Sequence, residues 1–280
     1  MMLKSSLAAI VLSLASLAAA QPAVYPQAQW EKVVDTETVG WSKAGLETFR
    51  SELARTGTAG LVVVHAGRVI FEYGDLSTPR VVASVRKSLL SALYGKYVAS
   101  GLIKLDATLA ELGIDDIGGL SDKEKQATVR DLLEARSGVY HPAANSGDDS
   151  AHAPPRNSQT HGTYFLYNNW DFNALGTIFE KQTGRNIYDA FESDLARPLG
   201  MEDFDRAIQK KEGNRRKSIH LAYHIRISPR DLARVGYLML RAQTAADSPT
   251  FLATCFAIVV IFVAGEKLVI VPLERRFAQR

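Results

Sequence analysis

The chain has 280 residues, of which 46% are apolar and 22% are charged, as in an ordinary globular protein with a substantial core. This balance argues against an intrinsically disordered protein or a coiled coil, and the net charge of +3 argues against a nucleic-acid-binding protein. The single cysteine, Cys255, excludes an intramolecular disulfide, so the fold must be stabilised by its core.

The N-terminus has the pattern of a secretory signal peptide. A lysine precedes an apolar run that ends at Ala18 and Ala20, two small residues placed for signal-peptidase cleavage. We therefore expect residues 1–20 to be removed near Ala20, residues 21–40 to form an extended lead-in, and the mature protein to be periplasmic or secreted. The alternative of an uncleaved anchor has an apolar run that is short for a membrane span.

Further along the chain, the hydrophobic pattern alternates between helical and strand periodicity. Apolar spacing predicts a helix over residues 41–56, and residues 60–73 predict two strands joined at Ala66 and Gly67. A further helix is predicted to begin near residue 84, and others are predicted over residues 106–112, 128–136 and 170–182. A hairpin followed by a helical block and then more strand character indicates an α+β protein with a helical insertion.

Ser84 and Lys87 have the spacing of a nucleophile and its proton acceptor. At the start of a helix their side chains share one face, and the free N–H groups of the first turn lie near a developing oxyanion. The alternatives are a helix-capping serine and a solvated lysine. About one such SxxK pattern is expected by chance in a chain of this length, so the hypothesis depends on support from elsewhere.

That support comes from Tyr167-Asn168-Asn169, the only YxN in the chain, which lies C-terminal to the only SxxK. A phenol near pKa 10 is a poor base, so Tyr167 would need neighbouring cations or a proton shared with Lys87. The alternative is a core tyrosine. Asn169 is predicted to hydrogen-bond Lys87 and a substrate carbonyl, whereas Asn168 is an intervening residue.

The residues around both motifs resemble a known family. Residues 84–106 and 167–201 resemble the serine β-lactamase and penicillin-binding-protein superfamily, and residues 218–240 are similar to a later segment of it. Within that superfamily the chain resembles the class C β-lactamase-like serine hydrolases, which include family VIII esterases, DD-peptidases and 6-aminohexanoate-dimer hydrolases. The resemblance extends over about residues 41–241.

The resemblance implies a β-lactamase/transpeptidase-like α+β fold over residues 41–280, with an antiparallel sheet flanked by helices and a helical subdomain. It implies a serine hydrolase that cleaves an amide or ester (a β-lactam, a peptide or a short ester) through an acyl-enzyme on Ser84. Lys87 and Tyr167 would move protons and Asn169 would bind substrate. No metal, other cofactor or nucleic acid is expected, and the partner is a small-molecule or peptide substrate.

The C-terminal residues depart from the family pattern. A third motif, Lys-Thr-Gly or His-x-Gly, is expected on a strand that lines the site, and the sequence does not contain it there. Residues 251–273 predict a strand hairpin rather than a membrane anchor, because charged residues interrupt the apolar run. The alternative function is therefore a non-catalytic or impaired periplasmic penicillin-binding or sensing relative without a complete active site.

Three remaining features have both a functional and a structural interpretation. His220 and His224 have metal-ligand spacing, but alternating apolar residues predict a strand with both histidines on its more polar face. Residues 140–163 predict a long polar loop at the rim of the site. The cationic cluster at residues 210–217 predicts a solvated loop, or alternatively a surface that attracts an anionic substrate.

Overall fold

The computed structural model describes residues 24–245 of the chain. The predicted signal peptide at residues 1–20 and the predicted hairpin at residues 251–273 lie outside this range. Within the described range, every helix falls short of the length and hydrophobicity that a membrane crossing requires.

The described range is an α+β arrangement, as the sequence predicts. Its helices are α1 (Lys43–Arg55), α2 (Val85–Ala99), α3 (Val129–Leu133), α4 (Asn169–Thr183), α5 (Ile187–Phe191) and α6 (Pro229–Ala245). Its strands are β1 (Gly60–His65), β2 (Arg68–Gly74), β3 (Arg80–Val81), β4 (Lys210–Glu212), β5 (Ala222–His224) and β6 (Arg226–Ile227). In this part of the chain the strands form antiparallel pairs, β1 with β2, β3 with β6, and β4 with β5.

The β1–β2 hairpin confirms the predicted strands and the turn between them. Ala66 and Gly67 have φ values of 48° and 84°, the left-handed conformation that tight hairpin turns require. Helix α1 packs on this hairpin through a small apolar cluster of buried Leu53, Ile70 and Phe71. The hairpin and α1 therefore form a satellite of the main core.

The main core surrounds α2 and α4, which position the candidate site. The Tyr94 hydroxyl of α2 donates to the Leu175 carbonyl of α4 at 2.6 Å, and Tyr97 packs edge-on against Phe179 with ring centroids 5.0 Å apart. These residues are all buried in one apolar cluster. Because both helices begin at sequence motifs, their packing determines how the two motifs meet.

One predicted helix is wrong. Residues 106–112 form turns rather than a helix, because their backbone pairs with a distant segment. Thr108 bridges Thr128, and the Leu109 amide donates to the Ala127 carbonyl at 2.9 Å. The helices predicted over residues 128–136 and 170–182 are confirmed as α3, which is shorter, and α4.

Candidate active site

Ser84 lies directly before α2, where the chain leaves the β3–β6 pair. The Val82 amide donates to the Ile225 carbonyl at 3.0 Å, which holds the chain just ahead of the serine. Ala83 then adopts a φ of 39°, in a region that alanine rarely occupies, and the chain turns sharply into the helix. The Ser84 hydroxyl makes no capping hydrogen bond to α2, so the geometry does not support a helix-capping role.

Tyr167 is the contact partner of Ser84. Its hydroxyl donates to Ser84 Oγ at 2.6 Å, although the two residues are 83 positions apart. The tyrosine is held at the start of α4, where the Asn168 side chain caps the helix by accepting from the Asp171 amide at 2.7 Å. The structure therefore brings together two residues that the sequence predicts to react together, and it gives Asn168 a structural role.

Lys87 lies beneath this pair and is 1% exposed. Its ammonium nitrogen is 3.7 Å from the centroid of the Tyr167 ring and 4.7 Å from that of Phe172. Among residues 24–245 no group hydrogen-bonds this nitrogen. Burial, and secondarily the charge of Arg86, lower the pKa of Lys87 to about 7. Lys87 can therefore accept a proton near neutral pH.

Asp171 adds a buried carboxyl that sequence reasoning missed. It is fully buried, and burial raises its pKa to about 7, against the opposing effects of a hydrogen bond from Ser137 and the Lys87 charge. The Ser137 hydroxyl donates to one carboxyl oxygen at 2.7 Å, and the other oxygen has no hydrogen-bond partner in the described part. In the sequence Asp171 resembles an ordinary acidic residue in a first helical turn, so the sequence gives no signal of its burial.

Asn169 is buried beside the site, but its predicted hydrogen bond to Lys87 is not formed. Its side-chain amide donates to the Ser146 carbonyl at 3.0 Å, and its backbone amide donates to the Asp148 carboxylate at 2.8 Å. The loop over residues 140–163 competes for this asparagine and draws it away from the lysine.

That loop borders the site, as predicted from the sequence. The Asp149 amide donates to the Tyr167 carbonyl at 2.9 Å, which ties the loop to the residue that contacts the nucleophile. Farther along, the Arg156 guanidinium donates to the buried Glu124 carboxylate at 2.8 Å. The loop is thus fixed at both the site and the helical block.

The histidine prediction is wrong for His220. His220 precedes β5 and is 1% exposed, and its ring nitrogens contact Thr177 Oγ1 at 3.0 Å and the Asp115 carbonyl at 3.1 Å. The segment is drawn inward because the Ile219 amide donates to the buried Asp116 carboxylate at 2.8 Å. Between residues 24 and 245, no group of three or more His, Cys, Asp or Glu side chains is placed to hold a metal ion.

The cationic cluster is only partly a solvated loop. Lys210 and Lys211 belong to β4, where Lys210 pairs with Glu212 at 2.6 Å and Lys211 pairs with Glu180. The remaining members, at residues 215–217, are exposed. The predicted loop is therefore confined to the end of this cluster.

Comparison with known proteins points to one family and one fold. A protein-family model described as Beta-lactamase matches residues 46–254. A solved structure provisionally described as a 6-aminohexanoate-dimer hydrolase from Bacillus anthracis is 21% identical with a TM-score of 0.54, and the match covers 79% of this chain and 63% of that one. A class C β-lactamase from Rhodobacter sphaeroides is 20% identical with a TM-score of 0.51, with 77% and 70% covered.

A third solved structure, an octameric penicillin-binding protein homologue from Pyrococcus abyssi, is 21% identical with a TM-score of 0.52, and 73% of this chain and 57% of that chain are covered. The match thus spans less than two thirds of the Bacillus and Pyrococcus chains. None of the curated proteins matches the sequence. At these identities the similarity shows a shared fold, and the site geometry carries the chemical argument.

Proposed function

Because this chain belongs to the β-lactamase family, a superfamily of serine hydrolases, we propose that it cleaves an amide or ester through an acyl-enzyme on Ser84. The observation that carries the proposal is the 2.6 Å hydrogen bond between the Tyr167 hydroxyl and Ser84 Oγ. Lys87, buried against the same tyrosine ring, supplies the proton acceptor that a phenol alone lacks.

In the proposed acylation, Ser84 Oγ attacks the substrate carbonyl carbon. The Tyr167 hydroxyl, which donates to Ser84 Oγ in the structure, passes its proton to the Lys87 amine and accepts the serine proton in its place. For this step the amine must move from the ring face, where it lies 3.7 Å from the ring centroid, to the hydroxyl. When the tetrahedral intermediate collapses, this pair returns one proton to the leaving amine or alcohol. A water molecule then attacks the acyl-enzyme by the same route and restores the Ser84 hydroxyl. These transfers require Lys87 to begin unprotonated, and its lowered pKa of about 7 supports that state.

The Ser84 amide is the proposed first donor to the oxyanion. Within residues 24–245 this N–H donates to no other group, so it is free to stabilise the developing negative charge. In the family the second donor comes from the strand of the third motif. The sequence after residue 201 contains no Lys-Thr-Gly or His-x-Gly. A site without that donor is the basis of the second candidate, an impaired penicillin-binding or sensing relative that is acylated but turns over slowly or not at all.

The experiment that tests both candidates combines a fluorescent penicillin with a short-chain nitrophenyl ester. Covalent labelling with turnover supports the hydrolase, and labelling without turnover supports the impaired relative. The Ser84→Ala variant should lose labelling, whereas Ser100→Ala at the far end of α2, whose hydroxyl donates to the Tyr97 carbonyl, should keep it. Undiminished labelling of Ser84→Ala would overturn the assignment of the nucleophile.

We also propose that the mature protein is periplasmic or secreted, on the support of the signal-peptide pattern before Ala20. Mass spectrometry of the exported protein should find an N-terminus near residue 21. A protein that keeps residues 1–20 and stays in the cytoplasm would contradict this proposal.

A further inference from the structure

Arg86, two residues after the nucleophile, is a buried cation with neutral partners. It is 2% exposed. One guanidinium nitrogen donates to the Asn173 side-chain oxygen at 2.9 Å, and the guanidinium carbon lies 4.4 Å from the centroid of the Tyr223 ring. The other terminal nitrogen has no hydrogen-bond partner among residues 24–245.

Within the described range, no carboxylate forms an ion pair with Arg86 at 4.0 Å or less. An amide oxygen and an aromatic ring solvate a guanidinium, but they do not cancel its charge. Buried arginines are rarely left without a carboxylate, because the desolvation of the charge then goes uncompensated. Such a cation contributes little to stability, so its position next to the reacting groups calls for another explanation.

The neighbour that this charge acts on is Lys87, the next residue of α2. Both side chains are nearly fully buried, and neither the Lys87 ammonium nor one Arg86 nitrogen has a hydrogen-bond partner in the described part. Because a buried environment screens charge poorly, the positive charges of Arg86 and of protonated Lys87 repel each other more strongly than they would in water. Because arginine stays protonated at all accessible pH values, the repulsion acts against the protonated form of Lys87.

The other charged groups around Lys87 act in the opposite direction. The carboxylates of Asp148 and Asp149 on the neighbouring loop, and of Asp171 on α4, all favour a protonated lysine. The other titratable side chains here are Tyr167, which lies against Lys87, and Tyr188, Tyr223 and His224, which lie around Arg86. Burial raises the pKa of Tyr188 and Tyr223 and lowers that of His224, so it favours their uncharged forms. Arg86 therefore opposes the effect of these acidic side chains on Lys87, and Asp171 contributes least near neutral pH because burial raises its pKa to about 7.

We propose that Arg86 is a positioning residue whose fixed charge keeps Lys87 in the unprotonated form that accepts a proton from the Ser84–Tyr167 pair. The inference rests on the proposed function, because it assigns Arg86 a role in that same site. The lowered pKa of Lys87, to which Arg86 is the second contributor after burial, agrees with this assignment.

The test is the pH dependence of Ser84 labelling by a fluorophosphonate, measured from about pH 5 to about pH 9, for the wild type and four variants. Arg86→Gln removes the charge, so the midpoint pH of the acidic limb of the pH–rate profile should rise by about one unit. At pH values below this midpoint, the labelling rate should be about tenfold lower than in the wild type. The rate on the high-pH plateau should change little. Arg86→Lys keeps the charge and should keep the wild-type limb.

The matched control is Asn173→Ala, which removes the hydrogen bond to Arg86 and leaves the charge in place. This variant should keep the wild-type midpoint pH of the acidic limb, even if its thermal stability falls. Arg86→Met serves as a second neutral variant, since replacing a buried unpaired charge with an apolar side chain is often tolerated.

If a folded Arg86→Gln or Arg86→Met variant keeps the wild-type midpoint pH of the acidic limb, the inference is overturned. A shifted midpoint in Arg86→Lys or Asn173→Ala would also overturn it, and this comparison holds even if neither neutral variant folds. Failure of the proposed function gives a different result, because the wild-type protein itself would then show no labelling that depends on Ser84.

Discussion

In the described part of the chain, the hydroxyl of Tyr167 hydrogen-bonds the Ser84 hydroxyl oxygen, so its removal by substitution with phenylalanine is a direct test of this contact. We expect Tyr167→Phe to lower kcat by about 10²–10⁴-fold, the usual contribution of a general acid–base group, with a much smaller change in KM. Steady-state kinetics on a nitrophenyl ester measure this. Tyr164→Phe, at an exposed tyrosine three residues earlier, should behave as the wild type. A loss confined to KM would show that Tyr167 binds substrate and moves no proton.

Asp171→Asn should flatten the dependence of stability on pH. With a folded-state pKa of about 7, the buried carboxyl keeps a proton that the unfolded chain releases above about pH 4. The free energy of unfolding of the wild type therefore falls as the pH rises from about 4 to about 7. Asparagine can still accept the Ser137 hydrogen bond and has no charge to bury.

Urea denaturation at about pH 5 and about pH 7 should therefore show a smaller fall for the Asn variant than for the wild type. Lys87 does not confuse this comparison, because its lowered pKa raises stability with pH in a higher window, between about 7 and the ordinary lysine value. An equal fall in both proteins would mean that Asp171 does not titrate in this range.

The residues of the site differ in how far the sequence reveals them. Ser84, Lys87 and Tyr167 could be predicted because their spacing follows from helix geometry and from a motif with recognisable flanks. Arg86 and Asp171 could not, because burial of a charged side chain depends on which distant segments pack over it. The sequence predicts that Asn169 binds substrate, but its hydrogen-bond partners depend on the conformation of the loop over residues 140–163.

At the scale of elements, helix α4 approaches strand β5 through a glycine. A Cβ atom added to Gly176 would lie 2.5 Å from the Tyr223 ring, the same ring that covers Arg86. Gly176→Ala should therefore force the two elements apart and lower the free energy of unfolding by about 1–3 kcal/mol.

The matched substitution is Gly236→Ala in α6, where an added Cβ meets nothing within 4 Å. Since alanine favours a helix interior over glycine by about 0.5–1 kcal/mol, this variant should be slightly more stable than the wild type. Urea denaturation of both proteins checks the pair. Equal effects of the two substitutions would show that α4 and β5 adjust freely.

Elements with strong local patterns were predictable, and those stabilised by distant pairing were not. The β1–β2 hairpin and α4 follow from periodicity and from Gly67 in the turn. Residues 106–112 carry a helical pattern as well, but their backbone pairs with residues near Thr128. Periodicity predicts a polar face for His220, because it does not reveal that Asp116 draws the neighbouring Ile219 inward.

At the scale of the whole molecule, a site that lacks the oxyanion donor of the third-motif strand should still acylate at Ser84, but with slower acyl transfer and slow turnover. One missing oxyanion donor costs about 10²–10³ in kcat. Rapid mixing with a nitrophenyl ester should therefore show a low kcat. Grafting a relative's C-terminal strand with its His-x-Gly or Lys-Thr-Gly should raise kcat by about the same factor of 10²–10³. If the native protein already turns over near the enzyme median of about 10 s⁻¹, the tail does not impair the site.

The separation of 83 positions between Ser84 and Tyr167 also determines when the site can form during folding. Helices α2 and α4 can each form early from local contacts, whereas the hydrogen bond between their ends requires closure of a long loop. During refolding, the helical circular dichroism signal should therefore return before the capacity of Ser84 to be labelled. If the chain is exported as proposed, Ser84 would be unreactive when the chain leaves the membrane. It would become reactive only after most of the domain has folded.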